Sequence, residues 1–104
     1  GFDIHRSDPL GKMKVTSRGF GPITASFMDI ARENRAGLLF VLEGGYHISA
    51  LAQSVETMLR VLSGATESNY QVVAAGADKK KITQVIHRCW HVHRAFWKEM
   101  SHLC

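Results

Sequence analysis

Leu38-Leu39-Phe40-Val41-Leu42-Glu43-Gly44-Gly45-Tyr46 is the stretch from which the rest of the chain can be read. Its first five residues are apolar with no polar alternation, the pattern of a strand buried on both faces, as in a parallel sheet covered by helices. The run stops at a glycine pair and a tyrosine. In open α/β sheets ligands collect beyond the carboxyl ends of the strands, so the Glu43–Tyr46 turn is the expected place for a reactive group. Glycines there let the backbone approach a ligand or take positive φ, and Tyr46 projects a hydroxyl from a rigid support.

Upstream of the run, Thr16 or Ser17 can cap a helix, and Phe20, Ile23, Phe27, Ile30 and Ala31 follow at helical spacing. A helix over about residues 17–34 is predicted, with Pro22 requiring either a start near Gly21 or irregular first turns. Asn34 and Gly37 supply its stop. Downstream, Ile48, Leu51, Val55, Met58, Leu59 and Leu62 share one helical face, and Gly64 ends that helix. Tyr70 to Ala75 reads as an edge strand or a covering loop. Asp78 can cap a third helix whose apolar stripe is Ile82, Val85, Ile86, Cys89, Val92, His93, Phe96 and Met100, expected to serve packing.

At the other end, Gly1 to His5 reads as the tail of a strand, and Arg6 to Lys14 as a loop broken by Asp8-Pro9 and Gly11. The order is α/β in style but incomplete, because a doubly buried strand must pair on both sides and this chain offers at most the end of one neighbour. Absent an initiator methionine, the expectation is a piece of a larger α/β protein, or a chain that borrows its sheet from another.

Composition fits that expectation. At 104 residues, 45% hydrophobic and 21% charged, the chain is of the soluble globular class, and no apolar run approaches the ~20 residues that span a bilayer. No membrane partner is expected. A net charge of +4 invites nucleic acid, but the basic residues are scattered except for Lys79-Lys80-Lys81 beside Asp78, a solvated helix start, so no direct nucleic-acid contact is expected. Cys89 and Cys104 are too few and too far apart for a zinc framework or a disulfide scaffold and read as ordinary reduced thiols. The expected setting is intracellular, cytoplasm and nucleus both remaining open.

Three constellations could carry chemistry. Asp3 and Tyr46 would lie together if both sit at the ends of neighbouring strands. A carboxylate is a metal ligand and a phenol can donate to a developing oxyanion, although a turn cap and a packing tyrosine are the blander readings. His87 with His91, and Cys89 with His93, have metal-ligand spacing on a helix, but no carboxylate or cysteine pair completes a site and packing competes. Glu43 is a general base if its pKa is raised, a structural hydrogen bond to loop backbone being the plainer role. His5 and His47 flank the first pair and could line a site mouth, surface histidines being the default.

The residues Gly1-Phe-Asp-Ile-His5, the Asp8-Pro-Leu-Gly11 loop, Thr16-x-x-Gly-Phe20 and above all Leu39-Phe-Val-Leu-Glu-Gly-Gly-Tyr46 closely resemble the C-terminal third of the zinc-dependent histone deacetylase family, which includes acetoin-utilisation proteins and acetylpolyamine amidohydrolases. The helix of Val85 to Trp97 also looks like that family's final helix. The resemblance implies that residues 1–104 are the C-terminal part of one catalytic domain with an arginase/deacetylase-like α/β fold, a parallel sheet between helices. It implies Zn2+ as cofactor, Asp3 as one zinc ligand, Tyr46 as the catalytic phenol that stabilises the tetrahedral intermediate, and Gly44 and Gly45 beside the substrate channel. The implied reaction is hydrolysis of an acyl amide, on an acylated lysine of a protein or a small molecule, in which zinc polarises the carbonyl and activates water. The family's other zinc ligands and its histidine pair have no counterpart here, so the missing N-terminal part of the domain is the expected partner. Alone the chain is not expected to catalyse, and the alternative is an inactive truncated fragment or interaction segment. His47 and Pro22 depart from the family's pattern without touching these roles.

Overall fold

A computed structural model describes residues 1–65 and 78–97. It divides into two compact units, the first holding helices α1 (Phe20–Glu33) and α2 (Ile48–Leu62), the second helix α3 (Lys79–His93). The chain carries no repeat or low-complexity break that announces this division.

In the first unit a 3-10 turn over Ser17–Gly19 leads into α1, so the predicted helix begins three residues late. Pro22 explains the difference. It stands in the first turn of α1, where its missing N–H has no carbonyl to bond, and it blocks regular helix further upstream. At the other end the Asn34 side chain donates to the Ile30 carbonyl at 2.8 Å, and Arg35 takes a left-handed φ of 51°. Asn34 closes the helix as expected, while the positive φ falls on Arg35 and not on Gly37.

Helix α2 starts on His47, whose Nδ1 accepts the Ala50 N–H at 3.2 Å. It stops in a Schellman motif: Gly64 at φ 71° donates to the Val61 carbonyl and Ala65 to that of Arg60. Helices α1 and α2 pack on each other. The buried side of α2 is Ala50, Ser54 and Val61, with Leu51, Val55, Met58 and Leu62 half-buried beside it, whereas Ile48 and Leu59 of the expected face are exposed. On α1 the buried residues are Phe20, Gly21, Thr24 and Ala31, and the large apolar Ile23, Phe27 and Ile30 stay exposed. The buried hydroxyls of Thr24 and Ser54 return to the carbonyls of Phe20 and Ala50, each at 2.7 Å, so neither is left unsatisfied. Phe2 stacks on Phe20 with ring centroids 5.0 Å apart.

The first five residues of the Leu38–Tyr46 stretch overturn a local expectation. Among the described residues Leu38–Leu42 forms neither helix nor strand, and all five side chains are exposed, Leu39 by 87%. A strand exists only where a neighbour takes its N–H and C=O groups, and no described segment does so. The parallel sheet predicted from the run is therefore absent from the described residues, which are helical. Phe2–Ile4, read as a strand tail, is a 3-10 turn. Among the described residues strand-like pairing is confined to an isolated parallel bridge between His5 and Val15, with the Arg6 N–H bonded to the Val15 carbonyl at 2.8 Å. Phe40, Val41 and Leu42 line an apolar cavity of about 410 Å³ with Phe2, Phe20 and Met58.

Helix α3 is capped as predicted, the Asp78 carboxylate accepting the Lys81 N–H at 3.1 Å. Its stripe is exposed at Ile82, Val85, Ile86, Val92 and Phe96, so the packing expected of it is not seen among the described residues. The expectations for Tyr70–Ala75, Met100 and Cys104 lie outside the described residues. No helix among the described residues is long and apolar enough to cross a membrane.

Candidate functional site

The site is assembled where the 43–46 turn folds against the first residues of the chain. Phe2 N–H donates to the Glu43 carbonyl at 3.2 Å and sets the two segments side by side. Gly44 then turns at φ 68°, and a Cβ placed on it would fall 2.6 Å from Asp3 Oδ1. The Asp3 carboxylate thus occupies the space that a side chain at 44 would need, and both backbone angle and sterics demand glycine. At Gly45, φ 91°, a Cβ would lie 2.9 Å from that of Phe2 and 2.8 Å from Leu51 Cδ1. Asp3 and the Gly-Gly-Tyr turn, which begins 41 positions later at Gly44, are therefore in contact, through a 3-10 turn and a loop and without the neighbouring strands that suggested the pairing.

Asp8 secures the arrangement. Its Oδ1 accepts the N–H groups of Leu10 and Gly11, both at 2.9 Å, and its Oδ2 accepts the Tyr46 N–H at 2.7 Å. The residue is only 8% exposed. Burial by itself would raise its pKa; the N–H donors of Gly11, Tyr46 and Leu10, with the charge of His47, outweigh that and hold the carboxyl below its ordinary value. Sequence reasoning passed over Asp8 as a loop breaker. The local half of its role, an Asx turn onto Leu10 and Gly11, was readable from Asp-Pro-Leu-Gly, whereas the bond to Tyr46 across 38 positions leaves no local mark.

His5 departs from the surface default: it is 7% exposed, accepts the Ser7 N–H on Nδ1 and meets Ser17 Oγ through Nε2 at 3.1 Å. With Nδ1 accepting, Nε2 carries the proton toward Ser17, whose hydroxyl donates to Gln53 Oε1 at 3.3 Å. His47 is exposed, as the default has it, and caps α2; His5 and His47 both line a polar depression of about 390 Å³. Glu43 is exposed and contacts the loop through its backbone carbonyl, so the bond expected of its side chain is made by the main chain. The Tyr46 side chain is 59% exposed, and its hydroxyl has no hydrogen-bond partner among the described residues.

Metal ligation can be tested on the donor set. The Asp3 carboxylate carries no hydrogen bond or ion pair among the described residues, which leaves its oxygens open to a cation. A catalytic zinc takes three protein ligands, and no group of three His, Cys, Asp or Glu side chains suited to a metal occurs among the described residues. The chain fits one ligand position. The same absence covers His87, Cys89, His91 and His93 on α3, where instead the His87 ring lies 5.6 Å from that of Trp90 and Arg94 sits over the indole at 4.6 Å.

The family model of the histone deacetylase domain matches residues 1–62, which hold every residue of this site. Among curated proteins, the chain is 28% identical over 101 residues to histone deacetylase 15 of Arabidopsis thaliana, covering 97% of this chain and 18% of that protein. It is 30% identical over 98 residues to a chloroplastic histone deacetylase of Oryza sativa subsp. japonica, 89% of this chain and 22% of the relative. A polyamine deacetylase of Mus musculus is 41% identical over 64 residues, 62% of this chain and 9% of the relative. The chain thus spans less than a quarter of the length of each. No solved structure gives a significant match.

Proposed function

The chain belongs to the histone deacetylase family, and on that premise we propose that it is the C-terminal part of a zinc-dependent deacylase domain, supplying one zinc ligand, Asp3, and the oxyanion donor, Tyr46. The observation that carries this reading is the contact of the Asp3 carboxylate with Gly44, two residues before a phenol that is exposed and unengaged. Ligand and donor thereby sit on two turns that lie against each other. The remaining zinc ligands and the proton-handling groups come from outside this stretch.

A zinc ion held in part by Asp3 would supply Lewis-acid polarisation of the acyl carbonyl. The chain's own work is geometric and electrostatic. Asp3 holds its oxygens at a position fixed by the Gly44 backbone, and the Tyr46 hydroxyl donates a hydrogen bond to the carbonyl oxygen as it becomes an oxyanion. Gly44 and Gly45, assigned beside the substrate channel, let the turn close against Asp3, Phe2 and Leu51, so that Tyr46 is presented next to the Asp3 carboxylate for the methylene chain that bears the amide. The relatives' names join histones and polyamines, whose acylated forms share an amide on a long methylene chain, and an acyl amide of that kind is the substrate class assigned to this site.

Tyr46→Phe in the full-length protein is expected to lower turnover of an acetyl-lysine or acetylpolyamine substrate about 10²–10³-fold, the scale for one oxyanion donor. Undiminished turnover in a folded variant would defeat the assignment.

A further inference from the structure

We infer that Asp8 is a positioning residue that sets the distance between the proposed zinc ligand and the proposed phenol donor, by tying the backbones that carry Asp3 and Tyr46 to one carboxylate. The inference rests on the roles proposed above for Asp3 and Tyr46. Its geometry is independent of them.

On one side, Oδ1 gathers the N–H groups of Leu10 and Gly11. Gly11 lies so close to Asp3 that the Asp3 carbonyl oxygen fills the place of a Cβ there, so the position of residue 11 constrains the backbone of Asp3. On the other side, Oδ2 takes the Tyr46 N–H. All three donors are backbone groups, which cannot swing away as side chains do, and the carboxylate is buried, where charge-assisted bonds are short and strong. The residue next to Tyr46 contributes too, since the charge of His47 favours the ionised carboxylate. Asp8 touches neither the proposed metal position nor the phenol, and so acts through them.

Asparagine offers one acceptor oxygen. In Asp8→Asn that oxygen remains with Leu10 and Gly11, and the new NH2 group faces the Tyr46 N–H, donor against donor. In the full-length protein Asp8→Asn is expected to lower kcat about 10–100-fold, the scale of an ångström-level misplacement, with KM within about twofold. Because Asp8 acts through Tyr46, the same substitution in a Tyr46→Phe background should cost little more, whereas losses that simply add would indicate general destabilisation and overturn the inference. Faster exchange of the Tyr46 amide proton in Asp8→Asn reports the broken bond without reference to activity. If Asp8→Asn does not fold, an amide-to-ester replacement at residue 46, made with the α-hydroxy analogue of tyrosine, removes the same donor and keeps both the carboxylate and the phenol. It should reproduce the loss of kcat, and wild-type kcat in a folded Asp8→Asn or ester variant sinks the proposal. Full activity in Tyr46→Phe is a different failure, since it removes the functional reading itself and this inference with it, even where the amide still reports the bond.

Discussion

The loop of residues 2–11 and the run of residues 38–42 exchange the roles their compositions assign them. The loop contains His5, Asp8, a proline and a glycine, yet His5 and Asp8 are among the most buried of the described residues. The run is wholly apolar and is exposed throughout. The loop is buried because its polar groups find partners nearby: His5 bonds to Ser7, and Asp8 to Leu10 and Gly11, before either reaches further. A strand has no such recourse, for its backbone can be satisfied only by another segment. Burial here follows hydrogen-bond satisfaction more closely than hydropathy, and the site grows from the part that is satisfied locally.

The contrast can be broken first at Gly44. Gly44→Ala places a methyl against the Asp3 carboxylate at a left-handed φ, and we expect a loss of about 2–4 kcal/mol of stability, read by a denaturant melt, from strain and overlap together. An unchanged midpoint would mean that the loop does not bear on the turn.

Acid probes the same contact from the other side. The Asp8 carboxyl titrates below its unfolded value of 3.8, so its contribution to stability is complete above that pH and is lost as pH falls through the lower, folded value. Protection of the Tyr46 amide against exchange should vanish in that window, and Asp8→Asn should abolish this pH dependence.

The smallest effect is expected in the run. Leu39→Ser should change the stability of this chain by less than about 0.5 kcal/mol, since the side chain is already in water. In the full-length protein, if the sheet that the family resemblance implies covers Leu39, the same change should cost about 2 kcal/mol or more. Equal costs in the two settings would end the idea that the run is completed by other parts of a domain.

The helices were the legible part. The interval from Tyr46 to Gly64 is α2 almost to the residue, and Asp78 opens α3 as its type and place predict, because caps and helical spacing act over three or four positions. Pro22 was legible as a difficulty, and it moves the start of α1. For the site, the sequence pointed to Asp3, Gly44, Gly45 and Tyr46, and the described geometry brings them into one cluster. Asp8 and the buried state of His5 were not legible, since the Tyr46 and Ser17 partners that explain them lie 38 and 12 positions away and no local pattern encodes such pairings. The exposure of Leu38–Leu42 was hidden for the complementary reason: periodicity states what a segment would bury, and only its neighbours determine whether it does.

The Schellman ending of α2 has a consequence for how such a chain can be assembled. Because Gly64 and Ala65 close the carbonyls of Val61 and Arg60, the last turn draws its hydrogen bonds from within residues 60–65 and asks nothing of the residues beyond them. The match to the family model ends at residue 62, inside that self-sealed turn, although curated relatives align over as many as 101 residues. Substitutions after position 65 are therefore expected to leave the terminal hydrogen bonds of the helix behind the Asp3–Tyr46 turn in place.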